Sequence, residues 1–349
     1  MSILKKGNKY GTHRVIEPKG ALPQPAVKIS NDMEIFDNEI LIDVDYLNID
    51  SASFTQLKEE ANGDIDKVKA KIMTIVNKRG KMQNPVTGSG GMLIGNIERI
   101  GDSLKGKVDL KVGDKVATLV SLSLTPLRID KILNIFPEID RVEIKGKAVL
   151  FESGIYAKLP EDMEDTLALA VLDVAGAPAQ VKKLVKSGNT VLILGATGKS
   201  GLMCSYISKK MVGETGKVIG QARNKERANY LKDTNFCHEV IIADVLKPVN
   251  VLEETLKVNG GKEVDISINC LSIPNTEMSS ILPVRDGGIV YFFSMATSFT
   301  KAALGAEGVG KDVTMIIGNG YTKGHAQIAL DVLRESKTMR KIFEQKYVL

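Results

Sequence analysis

The chain has 349 residues, with 47 Lys and Arg residues against 42 Asp and Glu residues, and so a formal net charge of +5 at pH 7. This balance argues against a polyanionic partner, and 5% aromatic residues with no tryptophan leave few rings for stacking on nucleic-acid bases. The length exceeds what one hydrophobic core usually supports, so we expect two domains.

No window of the sequence approaches the roughly eighteen apolar residues of a membrane span, and the first residues lack an apolar signal-peptide core. We therefore expect a cytoplasmic protein without a membrane partner. Cys204, Cys237 and Cys270 are widely separated and form no CxxC motif, which is typical of reduced thiols. The three histidines do not lie within helical or loop spacing of one another, so a zinc ion would find almost no ligands.

The first part of the chain, residues 1–155, reads as a mainly β domain. Short alternating strands such as residues 39–47 are broken by Gly, Pro and Asn turns. Residues 64–78 carry apolar side chains at three- and four-residue spacing, which predicts one inserted helix with a solvated basic face. Residues 167–186 predict a helix that breaks or starts afresh at Pro178.

The segment TVLILGATGKSG at residues 190–201 predicts a buried strand, a glycine turn and the start of a helix. Gly195 permits the turn, Gly198 lets the backbone approach a pyrophosphate, and Gly201 lets the helix pack on the strand. Free N–H groups at the start of the helix would bind the phosphate charge. The other residues that line this turn are Thr197, Lys199 and Ser200.

After this turn, strands alternate with helices, which predicts a doubly wound parallel sheet over residues 156–319. The predicted strands and helices are 217–221, 224–232, 239–243, 249–258, 263–268 and 288–293. Ligands bind such sheets at the carboxyl ends of the strands, and the candidate contacts there are Asn269, Cys270, Ser294 and Asn319. Residues 320–349 leave room for one helix and a tail, and their return to the first domain stays open.

The end of the second strand of this sheet bears on the cofactor. An NAD site usually offers an acid to the ribose hydroxyls, whereas this chain presents Arg223 and Asn224 first and has no acid until Glu226. A guanidinium can pair with a 2′-phosphate, so the sequence favours NADP over NAD.

Three segments resemble the medium-chain dehydrogenase/reductase superfamily: residues 90–101 (GGMLIGNIERIG), residues 111–116 (KVGDKV) and the glycine turn. The resemblance implies an α/β protein in which a chaperonin-10-like β-barrel catalytic domain precedes a Rossmann domain, with the active site between them and a homodimer formed through the nucleotide domains.

A closer resemblance is carried by KYGTHRVIEPKGALPQPA at residues 9–26 and KMQNPVTGSGGMLIG at residues 81–95. These strings are similar to those of the L-erythro-3,5-diaminohexanoate dehydrogenase family of lysine fermentation. The resemblance implies oxidation of the 3-amino carbon of the substrate with a nicotinamide cofactor. Water then releases ammonium and leaves 5-amino-3-oxohexanoate.

The chain departs from the zinc-dependent branch of the superfamily at two ligand positions. Aligning residues 47–54 puts Asp50 in place of a zinc cysteine, and aligning residues 90–95 puts Gly91 in place of a histidine. We therefore expect no zinc, and a carboxylate that takes the proton of the reacting amine and stabilises the iminium charge. Asp50 is the first candidate, although it could equally cap its own turn through its side chain.

Further candidates are open to two interpretations each. Asp173 interrupts an apolar run and either faces the nicotinamide or pairs with a buried partner. His13 is either a base or a packed, hydrogen-bonded histidine, and Arg14 is either a clamp for the substrate carboxylate or a residue of a solvated strand edge. The polar side chains expected to bind substrate beside Asp50 are Asn48, Ser51, Ser53 and Ser89.

Two other functions compete with this one. A zinc-free quinone or enoyl reductase of the same superfamily needs only the cofactor and an apolar slot, and would not need several acids. A cofactor-binding protein without catalysis would leave the polar cluster around Asp50 idle.

Overall fold

The structure, a computed structural model, describes residues 5–318 and 320–348. Residue contacts divide the chain into two units, residues 1–165 and 166–349. No helix within the described residues is long and apolar enough to cross a bilayer.

Alternating burial along the first unit produces an antiparallel sheet. In the central strand, Leu47 and Ile49 enter the core while Asn48 between them stays half-buried on the opposite face. The sheet has the strand order β6-β7-β3-β4-β5-β8, and β1 pairs with β2 apart from it. The elements are β1 (Val15–Glu17), β2 (Lys28–Ile29), β3 (Glu39–Ile49), α1 (Ser51–Glu60), α2 (Ile65–Arg79), β4 (Gly91–Ile100), β5 (Lys115–Thr118), β6 (Leu127–Phe136), β7 (Arg141–Phe151) and β8 (Tyr156–Lys158).

The inserted helix α2 was predicted from its spacing, and its buried stripe of Val68, Ile72 and Val76 packs into the core of the sheet. The side chain of Asp64 caps its first turn, and Gly80 ends it at a φ of 73°. The shorter helix α1, which begins directly after β3, was not predicted. Its apolar residues are few, so its sequence carries little of the periodicity that indicates a helix.

The boundary between the units differs from the division at 155/156 drawn from the sequence. Residues 156–158 form β8, which pairs with β5 and so extends the first sheet. The Lys115 ammonium also pairs with the Asp165 carboxylate, at the last residue of this unit.

The second unit contains a parallel sheet with the strand order β11-β10-β9-β12-β13-β14. This order is that of a doubly wound Rossmann sheet, which confirms the predicted fold class. The elements are α3 (Asp165–Leu172), α4 (Gly176–Leu184), β9 (Thr190–Leu194), α5 (Lys199–Val212), β10 (Lys217–Ala222), α6 (Lys225–Thr234), β11 (Glu239–Ile242), α7 (Pro248–Val258), β12 (Val264–Asn269), α8 (Glu277–Ile281), β13 (Val284–Phe292), α9 (Phe299–Gly308), β14 (Val313–Ile317), α10 (His325–Glu335) and α11 (Lys337–Tyr347).

Two details of the helices in this unit follow from single residues. The predicted break near Pro178 lies at residues 173–175, and Pro178 stands in the first turn of α4, where its missing N–H costs nothing. After residue 319 the chain forms two helices, instead of the one helix and tail expected. Ser336 ends α10 and caps α11 by accepting a hydrogen bond from the Met339 amide. Helix α10 packs on α4 and α5 within the second unit.

A buried ion pair joins the start of the chain to the central strand of the first sheet. Arg14, which is 3% exposed, donates from Nε and Nη2 to the two carboxylate oxygens of Glu39 at 2.7 and 2.6 Å. His13 and the Phe36 amide also hydrogen-bond this carboxylate. Burial alone would raise the pKa of Glu39, but these hydrogen bonds outweigh it and hold the pKa at about 2, below the ordinary 4.5.

Replacing Glu39 by Gln should lower the free energy of unfolding by roughly 3 to 5 kcal/mol at pH 7, because Arg14 would remain buried without its counter-charge. The depressed pKa means that the carboxylate contributes its full stability above pH 4.5 and loses it as the pH falls toward 2. Urea unfolding should therefore show that the difference in free energy of unfolding between wild type and Glu39→Gln becomes smaller from pH 7 to pH 3. The exposed Glu17→Gln is the control, and a gap that is constant with pH would contradict this account.

Candidate active site

The glycine turn between β9 and α5 has the geometry that each of its three glycines predicts. Gly195 has a φ of 75°, which favours glycine. A Cβ on Gly201 would lie 2.1 Å from the Gly195 carbonyl oxygen, so only glycine lets α5 approach the turn this closely. A Cβ on Gly198 would meet nothing nearer than 3.5 Å. Gly198 directly precedes the first residue of α5 and offers no side chain to cap the helix. The first N–H groups of a helix have no partner within the helix, so those of α5 can bind a ligand.

Neighbouring strand ends hold this turn in place. The buried Gln221, at the end of β10, accepts a hydrogen bond from the Gly195 amide and donates one to the Ala243 carbonyl. On the other side, the Cys270 amide donates to the Leu194 carbonyl. The turn thus lies between β10 and β12, where the strand order of the sheet reverses, and open α/β sheets bind their ligands at such a point.

The residues at the other strand ends divide into structural and available groups. Asn269 is fully buried: its amide nitrogen donates to Thr276 and Ser280, and its oxygen accepts from the Leu271 amide. Its side chain thus supports the strand end, and both its nitrogen and its oxygen already have partners in the protein. Ser294 is half-buried, and its hydroxyl accepts from the Ala296 amide. Asn319 lies outside the described residues.

Cys270 contacts a second thiol that is distant in sequence. Its Sγ lies 3.8 Å from the Sγ of Cys204, a fully buried residue of α5. Burial, together with Cys270, raises the pKa of the Cys204 thiol. This contact could not be predicted from the sequence, because no motif near either cysteine indicates that α5 packs on the end of β12.

The candidate acid Asp173 pairs with the glycine turn. Its carboxylate lies 2.8 Å from the Lys199 ammonium, and that ammonium lies 5.0 Å from the ring centroid of Tyr347 at the end of α11. Asp173 is exposed and Lys199 is half-buried, so the alternative in which Asp173 pairs with a buried partner is not what the structure shows. Lys199 is held between an acid and a ring beside the phosphate turn.

The two residues that follow β10 differ in availability. Arg223 is exposed. The Asn224 side chain accepts from the Arg227 amide at 2.9 Å and so caps α6, which assigns it a structural role.

In the first unit, Asp50 and Gly91 lie side by side at the ends of β3 and β4. A Cβ on Gly91 would lie 1.9 Å from the Asn48 carbonyl oxygen and 2.8 Å from the Asp50 nitrogen. The position that the resemblance aligns with a zinc-binding histidine therefore has no room for a side chain. Within the described ranges, no group of three His, Cys, Asp or Glu residues is placed to hold a metal ion.

Asp50 precedes the first residue of α1, yet its side chain makes no capping hydrogen bond. The alternative interpretation of Asp50 as a turn cap is thus not supported. Its Oδ2 accepts one long hydrogen bond, at 3.4 Å, from the Ser89 hydroxyl. The carboxylate is half-buried and makes no ion pair within the described part of the chain.

Three hydroxyls lie beside Asp50. The Ser53 hydroxyl, which is fully buried, lies 2.5 Å from that of Thr87 and 2.6 Å from that of Ser89. Ser89 thus connects the pair to the carboxylate. Thr87 was not among the predicted site residues, because its position on the loop before β4 gives no local signal.

Asn48 and Ser51 contact two further residues that sequence reasoning missed. Arg141 donates from Nε to the Asn48 side-chain oxygen at 3.3 Å, and the Ser51 hydroxyl donates to Asp140 at 2.5 Å. Both new residues come from the β6–β7 hairpin, about ninety positions along the chain. The pairing of β3 with β7, which the sequence does not show, brings both residues to the end of β3 beside Asp50.

His13 and Arg14 belong to the buried Glu39 network instead of the site. The His13 Nδ1 accepts from the Asn8 amide at 2.9 Å while its Nε2 lies 2.8 Å from Glu39, so neither nitrogen retains a lone pair for a substrate proton. The remaining Arg14 donors reach the carbonyls of Asp32 and Glu34. We therefore leave both residues out of the proposed site.

Comparison with known proteins identifies close relatives of this chain. Residues 13–160 match the family model of the L-erythro-3,5-diaminohexanoate dehydrogenase N-terminal domain. The L-erythro-3,5-diaminohexanoate dehydrogenase of Acetoanaerobium sticklandii is 71% identical over 343 residues, which cover 98% of this chain and 100% of the relative. The enzyme of that name from Fusobacterium nucleatum subsp. nucleatum is 69% identical over 345 residues, which cover 99% of this chain and 100% of the relative.

The structure also resembles Escherichia coli quinone oxidoreductase complexed with NADPH, with a TM-score of 0.52 and 16% identity, covering 86% of this chain and 79% of that one. This likeness shows the fold, that of the medium-chain dehydrogenases and reductases. From the two full-length relatives and the matching family model, the chain belongs to the L-erythro-3,5-diaminohexanoate dehydrogenase family.

Proposed function

We propose that this protein oxidises L-erythro-3,5-diaminohexanoate at its 3-amino carbon and releases ammonium to leave 5-amino-3-oxohexanoate, as a step of lysine degradation. The observation that carries the proposal is 71% identity, over 98% of the chain, to a protein named for this dehydrogenase activity. The acids and hydroxyls at the end of β3 support it, because an amine substrate needs a proton acceptor before hydride can leave its carbon.

The residues of the second unit fit a nicotinamide dinucleotide. The space beside Gly198, the uncapped start of α5 and the position of the turn at the reversal of strand order are the features that bind a pyrophosphate. Thr197, Lys199 and Ser200 complete the turn. When bound, this cofactor would supply the hydride acceptor of the reaction.

Among the nicotinamide cofactors we favour NADP. Arg223 is the first residue after β10 and is exposed, so its guanidinium is available for a 2′-phosphate. No acid stands at this strand end to bind the ribose hydroxyls of NAD; the first one, Glu226, lies in the first turn of α6. The ratio of kcat/KM with NADP to kcat/KM with NAD measures this preference, and we expect it to exceed one.

Two glycine variants separate folding from cofactor binding. Gly201→Ala should destabilise the protein, because its Cβ would lie 2.1 Å from the Gly195 oxygen and push α5 away from the turn. Gly198→Ala should keep the melting temperature within a few degrees, because its Cβ has space and its φ of −82° suits any residue. It should nevertheless weaken binding of the reduced cofactor, measured by nicotinamide fluorescence. Unchanged affinity in folded Gly198→Ala would place the pyrophosphate elsewhere.

Asp50 is the proposed base. A free amine is mostly protonated near neutral pH, and only the neutral amine can release hydride from its carbon. The Asp50 carboxylate is half-buried, accepts one weak hydrogen bond and is not used as a cap, so it is available to take that proton. Asp173 is paired with Lys199, which supports a role beside the cofactor phosphate for that residue.

The direct test incubates the purified protein with L-erythro-3,5-diaminohexanoate and either NADP or NAD, and follows reduced nicotinamide together with ammonium. We expect one ammonium for each reduced cofactor, and a higher kcat/KM with NADP. Reduced cofactor without ammonium would contradict the proposed reaction. Reduction of a quinone without either signal would favour a quinone or enoyl reductase, and cofactor binding without any turnover would favour a non-catalytic protein.

In the same assay, Asp50→Asn should lower kcat by about a hundredfold to ten-thousandfold, the usual contribution of a general base, while cofactor affinity is unchanged. Asp173→Asn is the matched control, and we expect it to change cofactor affinity more than kcat. Full turnover by Asp50→Asn would show that another group takes the proton.

We also propose a homodimer formed through the second unit. Strand β14 is at an edge of the parallel sheet, and Ile317 on it and Phe299 on α9 are 65% and 70% exposed. An exposed strand edge with apolar neighbours is a surface that a second copy can cover. Light scattering should give twice the chain mass of 37.8 kDa, and a monomer would refute the proposal. The cytoplasmic location stays a prediction from the sequence.

A further inference from the structure

The end of β3 presents a polar surface on the side of the sheet opposite the core. Residues alternate between the two faces of a strand, so Tyr46, Asn48 and the following Asp50 share one face while Leu47 and Ile49 enter the core. Arg141 is the first residue of β7 and lies directly opposite Asn48 in the register. Its guanidinium therefore shares this polar face.

Arg141 has donors that the protein does not use. Its Nε donates to Asn48, and its guanidinium carbon lies 5.3 Å from the ring centroid of Tyr46. Among the described residues, Nη1 and Nη2 make no hydrogen bond and the side chain makes no ion pair. Burial lowers the pKa of Arg141, against the effects of Tyr46 and Asp165. A half-buried guanidinium with both terminal nitrogens unpaired is ready to bind a carboxylate through two parallel hydrogen bonds.

Asp140 is fixed beside it at the end of the β6–β7 hairpin. Its backbone has a φ of 53°, and its carbonyl oxygen accepts from the Ile49 amide at 2.9 Å. The Ser51 hydroxyl holds one carboxylate oxygen at 2.5 Å. No Lys or Arg of the described chain forms an ion pair with Asp140 or with Asp50. The carboxylates of Asp50 and Asp140 thus lie at the same turn, where β3 passes into α1, and neither has a counter-charge among the described residues.

The proposed substrate carries charges that match this arrangement. Its carboxylate carbon and its second amino carbon are each two bonds from the carbon that is oxidised. A site for it needs a cation for the carboxylate, a base for the 3-amino group and an acid for the 5-ammonium group, since a charge buried without a partner is strongly unfavourable. Arg141, Asp50 and Asp140 supply one group of each kind from two short segments, residues 48–51 and 140–141.

We propose that Arg141 binds the substrate carboxylate and that Asp140 binds the 5-ammonium group, on either side of the amine that Asp50 deprotonates. This inference rests on the proposed function and adds to it the residues that recognise the substrate. An enzyme with these contacts selects a 3-amino acid with a free carboxylate and a second amine two carbons beyond the first.

Steady-state kinetics of two variants test the proposal. Arg141→Gln should raise KM for the diamino acid about tenfold to a hundredfold, the usual effect of losing hydrogen bonds between charged groups, while KM for the cofactor is unchanged. Arg141→Lys should recover part of the loss, because it restores the charge without the two-pronged geometry. Arg128→Gln is the matched control: Arg128 lies on the same hairpin but is exposed and pairs with Asp130.

Asp140→Asn tests the second contact with little risk to folding. Asparagine tolerates the left-handed backbone and can still accept the Ser51 hydrogen bond, so only the negative charge is lost. The kcat/KM of the wild-type enzyme should be at least tenfold higher for the diamino acid than for 3-aminohexanoate. In Asp140→Asn, kcat/KM for the diamino acid should fall by most of this factor, while kcat/KM for 3-aminohexanoate should not change.

The wild-type enzyme offers a measurement that needs no variant. The primary amide of the diamino acid, which has no carboxylate charge, should be a poor substrate with a raised KM. If the wild-type enzyme turns over the diamino acid, either of two results would overturn the assignment of Arg141. One is a KM of Arg141→Gln for the diamino acid within twofold of the wild-type value. The other is equal kcat/KM of the wild-type enzyme for the acid and for its amide. Preference for the diamino acid that is unchanged in Asp140→Asn would overturn that of Asp140. Absence of wild-type turnover would instead refute the proposed function, and this inference with it.

Discussion

The end of β3 depends on two neighbouring strands at once, and this double pairing determines the candidate site. On one side, β4 approaches so closely that a Cβ on Gly91 would lie 1.9 Å from the backbone carbonyl oxygen of Asn48. On the other side, β7 places Arg141 opposite Asn48, and the Asp140 carbonyl binds the Ile49 amide. Because Asp50 continues directly from this strand into α1, its position follows from both contacts.

How far the sequence predicts the molecule depends on how local the cause is. The phosphate turn was predictable residue by residue, because the roles of Gly195, Gly198 and Gly201 follow from backbone sterics within seven positions. Arg141 was not, because only the antiparallel register brings it to Asn48 from 93 residues away. The sequence left two interpretations of His13 and Arg14 open for the same reason: their partner Glu39 lies on β3, about 25 positions along the chain, and a lone histidine or arginine does not indicate such a partner.

The second unit shows how a side chain can be near a site and still serve the structure. Asn269, Asn224 and Gln221 all stand at strand ends, where a cofactor is expected, yet each uses its amide to fix the backbone. A strand end needs such groups because its last carbonyls and amides leave the ladder and require other partners. The position of a residue at a strand end therefore indicates where the site lies. Whether its side chain already makes hydrogen bonds within the protein decides whether that side chain is available to a ligand.

The charges at this end of the sheet match the substrate proposed for it. A divalent cation attracts an alcohol oxygen, but it repels a substrate that carries two ammonium groups. Asp50 and Gly91 stand where the resemblance to the zinc-dependent branch of the superfamily aligns a cysteine and a histidine, and Gly91 leaves no room for an imidazole. Asp50 and Asp140 give this end of the sheet negative charge, and Arg141 adds a cation from the hairpin beside them. The two acids and the hairpin arginine together suit the proposed substrate, a diamine with a carboxylate, better than an uncharged alcohol.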